Sequence, residues 1–444
     1  MRVKRMSRKI LKLAIMLTAL LLTGTGCLFT SSVSDLYALP KMPEQYQELE
    51  RQIGELISGG AEYAAPISGS NLQPVQMVDL DNDGMEEALI FMREATGEKP
   101  LKIYIFRMRG GHYQRAAVLE NSGTSIYSIS YTDLTDDGRM EIMVGWRAGA
   151  ENPALTVYAM EGDIPVPLLN TTYSRYVFDS AGRGFVLLRS GSEERCVVEA
   201  YEVSESGTLG VTSAVRLSST AAELAGGQMI SGCFSDGVPA LFVTGVSADG
   251  STAMVDALRW AEEGLKNVTM SSATGYTTES YAFRGLFPQD VNGDGVTEIP
   301  EPLSTPEEGI AGLVQWRQIS ERGSSEIVMQ TYHDLADGWY LELPGQWQEN
   351  VVVYRSEVGS YETTVTFTYQ NGTELREFLR IYTFSGENRE LRANRGSRFR
   401  LRTQQNTVFA GELLANAPEE LELSEEQVRS LFHLIVTEWV GGEN

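Results

Sequence analysis

From about residue 62 the chain is written in short apolar runs, separated by breaks rich in Gly, Ser, Asn and Asp. Runs of this kind, with their β-branched and aromatic residues, predict strands joined by tight turns. Four follow one another after Asp79: "EALIFMR", "LKIYIFRM", "YQRAAVLE" and "SIYSISYTD". Four more follow after Asp133: "MEIMVGW", "ALTVYAM", "IPVPLL" and "YSRYVFD". An Asp near a Gly, leading into an apolar run, stands at Asp79, Asp133, Asp179, Asp236 and Asp290, at intervals of 54, 46, 57 and 54 residues. A long repeat of this sort marks a modular array.

Four short strands per repeat is the make-up of a β-propeller blade. The expected fold is therefore mainly β, with a propeller of about five four-stranded blades over residues 62–330. Ahead of it, residues 27–61 read as a tether and a helix. In "MPEQYQELERQIGELISGG", Tyr46, Leu49, Ile53 and Leu56 share a stripe after Pro43, and Gly59-Gly60 stops it. Near Tyr332 the pattern changes. "DGWYLELPGQW", "NVVVYRSE", "ETTVTFTYQNG", "EFLRIYTFSG" and "FRLRTQQNTVFAGEL" predict a five-stranded meander with a turn at Asn371-Gly372. Ser424 then caps a helix with Val428, Leu431, Leu434, Ile435 and Trp439 on one stripe. Residues 331–444 are thus expected to form a separate, smaller α+β domain.

Three of the repeated breaks carry chemistry. They read "DLDNDGMEE" from Asp79, "DLTDDGRME" from Asp133 and "DVNGDGVTE" from Asp290. Alternate residues of a tight loop can turn oxygens inward, and the glycine allows the chain to double back. Hard oxygen ligands in this number suit Ca²⁺, which takes about 6–8 of them. Mg²⁺ wants stricter octahedral geometry, and Zn²⁺ wants His or Cys, which these loops lack. An EF-hand needs a Glu at the twelfth position between helices, whereas Ile90 and Val144 stand there, in apolar runs. The third loop has Glu301 at that place, but behind Pro300.

The pattern D-x-D-x-D-G-x-x-[DE], followed by an apolar strand and repeated at blade spacing, resembles the FG-GAP and VCBS repeats of integrin-α-type propellers. The resemblance covers about residues 62–330. It implies a calcium site from Asp79, Asp81, Asp83, the Met85 carbonyl and Glu87. It implies a second from Asp133, Thr135, Asp137, the Arg139 carbonyl and Glu141. It implies a third from Asp290, Asn292, Asp294, the Val296 carbonyl and Glu298. Thr135 makes the second site the weakest of the three on this reading. The ion's expected role is structural, since the degenerate copies at Asp179 and Asp236 lack most of the ligands.

The N-terminus gives an address. "MRVKRMSRK" is basic and acid-free, "ILKLAIMLTALLL" is a short apolar stretch, and "TGTGC" ends at Cys27. This is an export signal over residues 1–26. It resembles a bacterial lipoprotein signal, although Gly24 stands where Leu is usual. The resemblance implies acylation of Cys27 and attachment to the outer face of the cell membrane through that lipid alone. Net charge is −24, and the signal adds only bases, so the remainder is more acidic still. That argues against nucleic acid, which needs a basic footprint, and for cations such as calcium. Cys196 and Cys233 are left as a pair that exported proteins can oxidise, or as two buried thiols.

No P-loop, G-x-S-x-G or H-E-x-x-H motif is present, and His112, His333 and His433 are the only histidines. His333-Asp334 lacks a visible nucleophile. The expected function is a non-catalytic binding or scaffold module for an envelope protein or polysaccharide. The alternative is a secreted hydrolase using paired carboxylates. An acid pair outside the metal loops would favour the alternative.

Overall fold

The computed structural model describes residues 44–435, apart from 150–152, 179–183, 190–194, 205–206, 262, 304–311, 348–349, 360 and 416. Cys27, Asp179 and Trp439 lie outside the described residues. Among the described residues no helix is long and apolar enough to cross a membrane.

The described residues form six antiparallel sheets of four or five strands, taken almost in chain order. The first holds Val75–Val78, Glu87–Glu94, Leu101–Arg109 and His112–Asn121, with Ala61–Tyr63 added beside Glu87–Glu94. The second runs Ser125–Thr132, Glu141–Arg147, Ala154–Glu161 and Ile164–Thr172. The third runs Arg175–Phe178, Gly184–Arg189, Arg195–Val203 and Leu209–Thr220. The fourth runs Gln228–Cys233, Pro239–Val246, Thr252–Ala261 and Gly264–Asn267, with Glu279–Ala282 also on Thr252–Ala261. The fifth runs Glu298–Pro302, Leu313–Ile319, Ser325–Asp334, Trp339–Glu342 and Phe432–Leu434. The sixth orders Val351–Glu357, Glu362–Asn371, Glu374–Phe384, Thr407–Leu413 and Phe399–Gln404.

Each sheet packs on the next. Leu89, Phe91 and Ile103 meet Ile129, Ile142 and Val144 of the second sheet. On the other side of the same strand, Ala88, Ile90 and Met92 meet Leu49 of the helix Glu44–Ser58. Both faces are covered, so "ALIFM" is a continuous apolar run rather than an alternating one. Met143 and Val157 join Phe185 and Tyr201 between the second and third sheets. Val198 and Leu217 join Leu241 and Leu258 between the third and fourth. Phe242 and Val255 join Ile299 and Ile319, and Trp339 and Leu341 join Val353 and Phe367, in the two remaining interfaces. Six consecutive sheets stacked in this way are consistent with a β-propeller.

Four expectations need correction. The first two sheets are offset by one strand from the repeat marked by the acidic motifs, because the loops at Asp79 and Asp133 each connect a sheet's first two strands, whereas the loop at Asp290 leads from Glu279–Ala282 of the fourth sheet into Glu298–Pro302 of the fifth. Thus "SIYSISYTD" opens the second sheet and "YSRYVFD" opens the third. Second, the expected boundary at 330/331 falls inside the strand Ser325–Asp334, and Phe432–Leu434 returns to pair with Trp339–Leu341. Residues on both sides of that boundary share one sheet, and the sixth sheet among the described residues is formed largely by the C-terminal meander. Third, the last helix spans only Glu425–Leu431, capped by Ser424. Phe432 stacks on Trp339 at 5.3 Å, and that burial with strand pairing overrides the helical stripe. The five-stranded meander is also altered. "WYLE" belongs to the fifth sheet, and the last run splits into a hairpin with Phe399–Gln404 on the edge.

Cys196 is buried between the third and fourth sheets, and Cys233 is a half-buried free thiol at the end of its strand, with no disulfide between them.

Candidate metal centre

The three acidic loops adopt one backbone form. Their fourth positions, Asn82, Asp136 and Gly293, have φ of 57°, 56° and 77°. Their sixth, Gly84, Gly138 and Gly295, have φ of 86°, 83° and 85°. Left-handed backbone is tolerated by Asn and Asp and is free for Gly, which accounts for the residue types there. The second position is an apolar plug: Leu80 and Leu134 are buried, and Val291 is half-buried.

Hydrogen bonds repeat as well. Asp79 accepts the Asp83 and Gly84 N–H groups at 3.2 and 2.9 Å, and Asp83 accepts the Met85 N–H at 2.8 Å. Asp133 accepts from Asp137 and Gly138 at 3.2 and 2.8 Å, and Asp137 from Arg139 at 2.9 Å. Asp290 accepts from Asp294 and Gly295 at 3.1 and 2.9 Å, and Asp294 from Val296 at 2.8 Å. The ninth-position Glu87, Glu141 and Glu298 reach back to the N–H of Leu80, Leu134 and Val291 at 2.8, 2.7 and 2.9 Å. Each loop is therefore shaped by its own acids, each of which keeps oxygen lone pairs to spare.

Those spare oxygens converge in the first loop. Ligand atoms of Asp79, Asp81 and Glu87 lie within 4.8 Å of one another. Asp81 Oδ1 is buried and has no hydrogen-bond partner, and neither has Thr135 Oγ1 at the same third position of the second loop. A buried acceptor without a donor is costly. Two in equivalent places fit a cation's coordination shell, and the all-oxygen donor set fits Ca²⁺. Asp83 and Met85 are exposed, so the rim of this loop stays open to solvent.

The closing glutamates bear the cost of the arrangement. Burial, with Asp81 and Asp83 close by, pushes the Glu87 carboxyl up to about 7. Burial likewise raises Glu141 and Glu298. Asp137 is held below the usual carboxylate range by its hydrogen bond to the Arg139 side chain. Loops one and two touch, since the Met140 N–H donates to the Leu80 carbonyl at 2.8 Å. The degenerate copy at Asp236 keeps only the tight turn, with Gly237 at φ 75° and Asp236 accepting from the Glu321 N–H at 3.2 Å.

Two partners carry no local signal in the sequence. Arg107 sits 3.1 Å from Asp81 Oδ2 and 3.7 Å from Glu87 Oε1. Gln318 donates to Asp294 at 3.0 Å and to Glu298 at 2.8 Å. Both come from the strand paired with the one that the loop feeds. Gln318 lies 20 residues beyond Glu298, and Arg107 lies equally far beyond Glu87.

Among the described residues, acids outside the loops also share an arginine: Glu279 and Glu301 on Arg317, and Asp334 and Asp337 on Arg355. Asp334 is buried, and Arg355 Nε stands 3.1 Å from it, while Arg355 Nη2 stands 3.6 Å from Asp337. Asp337 and Arg355 border a polar cavity of about 340 Å³ lined also by Glu357, Tyr361 and Thr383. Burial and the Asp334 charge raise Asp337. His333 is buried, stacks on Tyr340 at 4.9 Å, and is pushed down to about 4 by burial, so it stays neutral. It does not face a nucleophile in any contact of the described residues.

No protein-family profile matches the chain, those of the FG-GAP and VCBS repeats included, and no curated protein matches it. Solved structures do. A 6-phosphogluconolactonase-like protein of Bacteroides uniformis is 15% identical, with a TM-score of 0.29, covering 64% of this chain and 78% of its own. One from Bacteroides fragilis is 11% identical, with a TM-score of 0.25, covering 65% and 80%. A Lactobacillus plantarum protein is 11% identical, with a TM-score of 0.27, covering 70% and 85%.

Proposed function

We propose that this protein is a lipid-anchored, calcium-stabilised β-propeller of the FG-GAP and VCBS type, outside the cytoplasm, serving as a non-catalytic binding or scaffold module at the cell envelope. The observation that carries the calcium reading is the shared loop form with its buried, donorless oxygens on Asp81 and Thr135. Asp79, Asp81, Asp83, the Met85 carbonyl and Glu87 would hold the first ion. Asp133, Thr135, Asp137, the Arg139 carbonyl and Glu141 would hold the second, and Asp290, Asn292, Asp294, the Val296 carbonyl and Glu298 the third. The first two loops each join paired strands of one sheet and the third leads from the fourth sheet into the fifth, so an ion there would pin strand connections.

Calcium at about 100 times its Kd stabilises a folded protein by about 2.7 kcal/mol. The melting temperature is therefore expected to rise with millimolar calcium and to fall with chelator. Glu141→Gln keeps an acceptor for the Leu134 N–H but removes the charge, and should shrink the rise. Identical melts with calcium and with chelator would end the calcium reading.

The hydrolase alternative meets its acid pair in Asp334 and Asp337, but Arg355 spans both. A guanidinium already bound to the two carboxylates makes an ion-pair network, which favours the scaffold reading. The envelope address rests on the N-terminal signal and Cys27. Cys27→Ser is expected to move the protein from the membrane fraction to the medium, read by fractionation. Unchanged partitioning, with an unmodified wild-type N-terminus, would exclude the lipid.

A further inference from the structure

The three loops look alike in their own residues and differ in what the neighbouring strand presents to them. Antiparallel pairing of Ala88 with Phe106 carries Arg107 opposite Glu87. Pairing of Ile142 with Tyr158 carries Ala159 opposite Glu141. Glu298 pairs directly with Gln318. The same place in three sheets is thus held by a cation, a methyl group and a neutral amide.

We infer that Arg107 is a tethered cation that neutralises the first loop where calcium otherwise would, and that the residue opposite the closing glutamate sets how strongly each loop depends on the ion. The inference rests on the calcium reading for its second half. Arg107 is only 15% exposed, and it bridges Asp81 and Glu87, two of the three acids whose oxygens converge. Its Nε makes no hydrogen bond, so the guanidinium is held by charge more than by directed bonds. Calcium entering this loop competes with a positive charge that cannot diffuse away. The loop keeps its form when calcium is stripped, and its affinity is lowered.

In the second loop nothing comparable reaches in. The nearby Arg139 belongs to the loop itself and turns to Asp137 at the exposed rim. Among the described residues, the neighbouring strand places Ala159, not a cation, opposite Glu141. This loop is the one that metal removal should disturb most, although Thr135 is a weaker ligand than Asp. In the third, the Gln318 amide bridges Asp294 and Glu298 without supplying charge. An amide can rotate to offer its oxygen to an ion instead, so this loop should adapt to either state. A ranking by ligand type alone puts the second loop weakest because of Thr135; including the opposing residue separates binding strength from dependence on the ion.

The test is calorimetric titration with calcium chloride, and thermal melting with and without chelator, on the full chain and three variants. Arg107→Gln should tighten calcium binding by about tenfold or more, the direction Coulomb's law sets when a competing charge is removed. It should also lower the metal-free melting temperature. Arg107→Lys, which keeps the charge, should behave as wild type in both and guards against a general folding defect. Ala159→Arg should weaken or abolish one site. Equal or weaker calcium binding in Arg107→Gln would overturn the competition. If no variant takes up calcium, the calcium reading fails. A lowered metal-free melt in Arg107→Gln then still upholds Arg107 as the loop's cation, and an unchanged one overturns it.

Discussion

A fragment that begins at Tyr332 is expected to lose cooperative folding, whereas one that begins at Gly285 keeps it. The shorter piece discards Glu298–Pro302 and Leu313–Ile319 and trims Ser325–Asp334 to its last residues. Tyr332 then loses its partner Leu313, and the N–H and C=O groups along that edge lose their ladder. Trp316 goes too. It is wholly buried, packs on His333 at 5.6 Å and forms a core with Leu286 and Val314. Removing a buried Trp alone costs about 3–5 kcal/mol. A domain of ordinary stability has about 5–15 kcal/mol in all. The longer piece retains Leu286, the whole fifth sheet and the core that joins it to the sixth. Circular dichroism melts of the two fragments check this. A sharp transition in the shorter one would restore the boundary near residue 331.

The elements were legible where one physical signal decided them. The helix Glu44–Ser58 needed only its stripe of Tyr46, Leu49, Ile53 and Leu56, and those side chains pack on the first sheet. The strands of the first two repeats follow their apolar runs, since a buried strand between covered faces can hardly be written otherwise. The acidic loops were legible because left-handed backbone at two places demands Gly, Asn or Asp. What local sequence lacks is information about who pairs with whom. "SIYSISYTD" reads as a strand, but nothing in it says which sheet it joins. Phe432–Leu434 reads as helix until Trp339, far back in the chain, supplies a ring and a strand edge. Arg107 and Gln318 escaped for the same reason. Their meaning comes from register across a sheet, and it becomes visible only once Glu298 is seen opposite Gln318.

The same cross-sheet logic governs Asp256, a carboxylate the motifs do not mark. Asp256→Ala is expected to destabilise the protein by about 3–5 kcal/mol, since it strands several buried donors at once. Asp256 lies on Thr252–Ala261 and is completely buried. It accepts the Ser218 N–H and Oγ–H, both at 2.7 Å, and the Asn267 amide at 2.8 Å. Ser218 belongs to the third sheet and Asn267 to the fourth, so one carboxylate stitches two sheets together. Ser218 Oγ in turn accepts the Thr277 N–H at 2.7 Å, which extends the network to the segment between Gly264–Asn267 and Glu279–Ala282 of the fourth sheet. Burial nonetheless raises the Asp256 carboxyl above its ordinary value, outweighing the hydrogen bonds from Asn267 and Ser218. An acid raised in the folded state binds more protons there than in the unfolded chain. Its contribution is greatest below the unfolded value near 3.8 and is lost as pH rises through the folded one. Asp256→Asn retains one acceptor oxygen, so it should cost less than Asp256→Ala. It should also remove this residue's share of the decline with rising pH. Urea melts across pH 4 to 8 on the three proteins check both statements. Equal stability of Asp256→Ala and wild type would mean that water, rather than this carboxylate, satisfies Ser218 and Asn267.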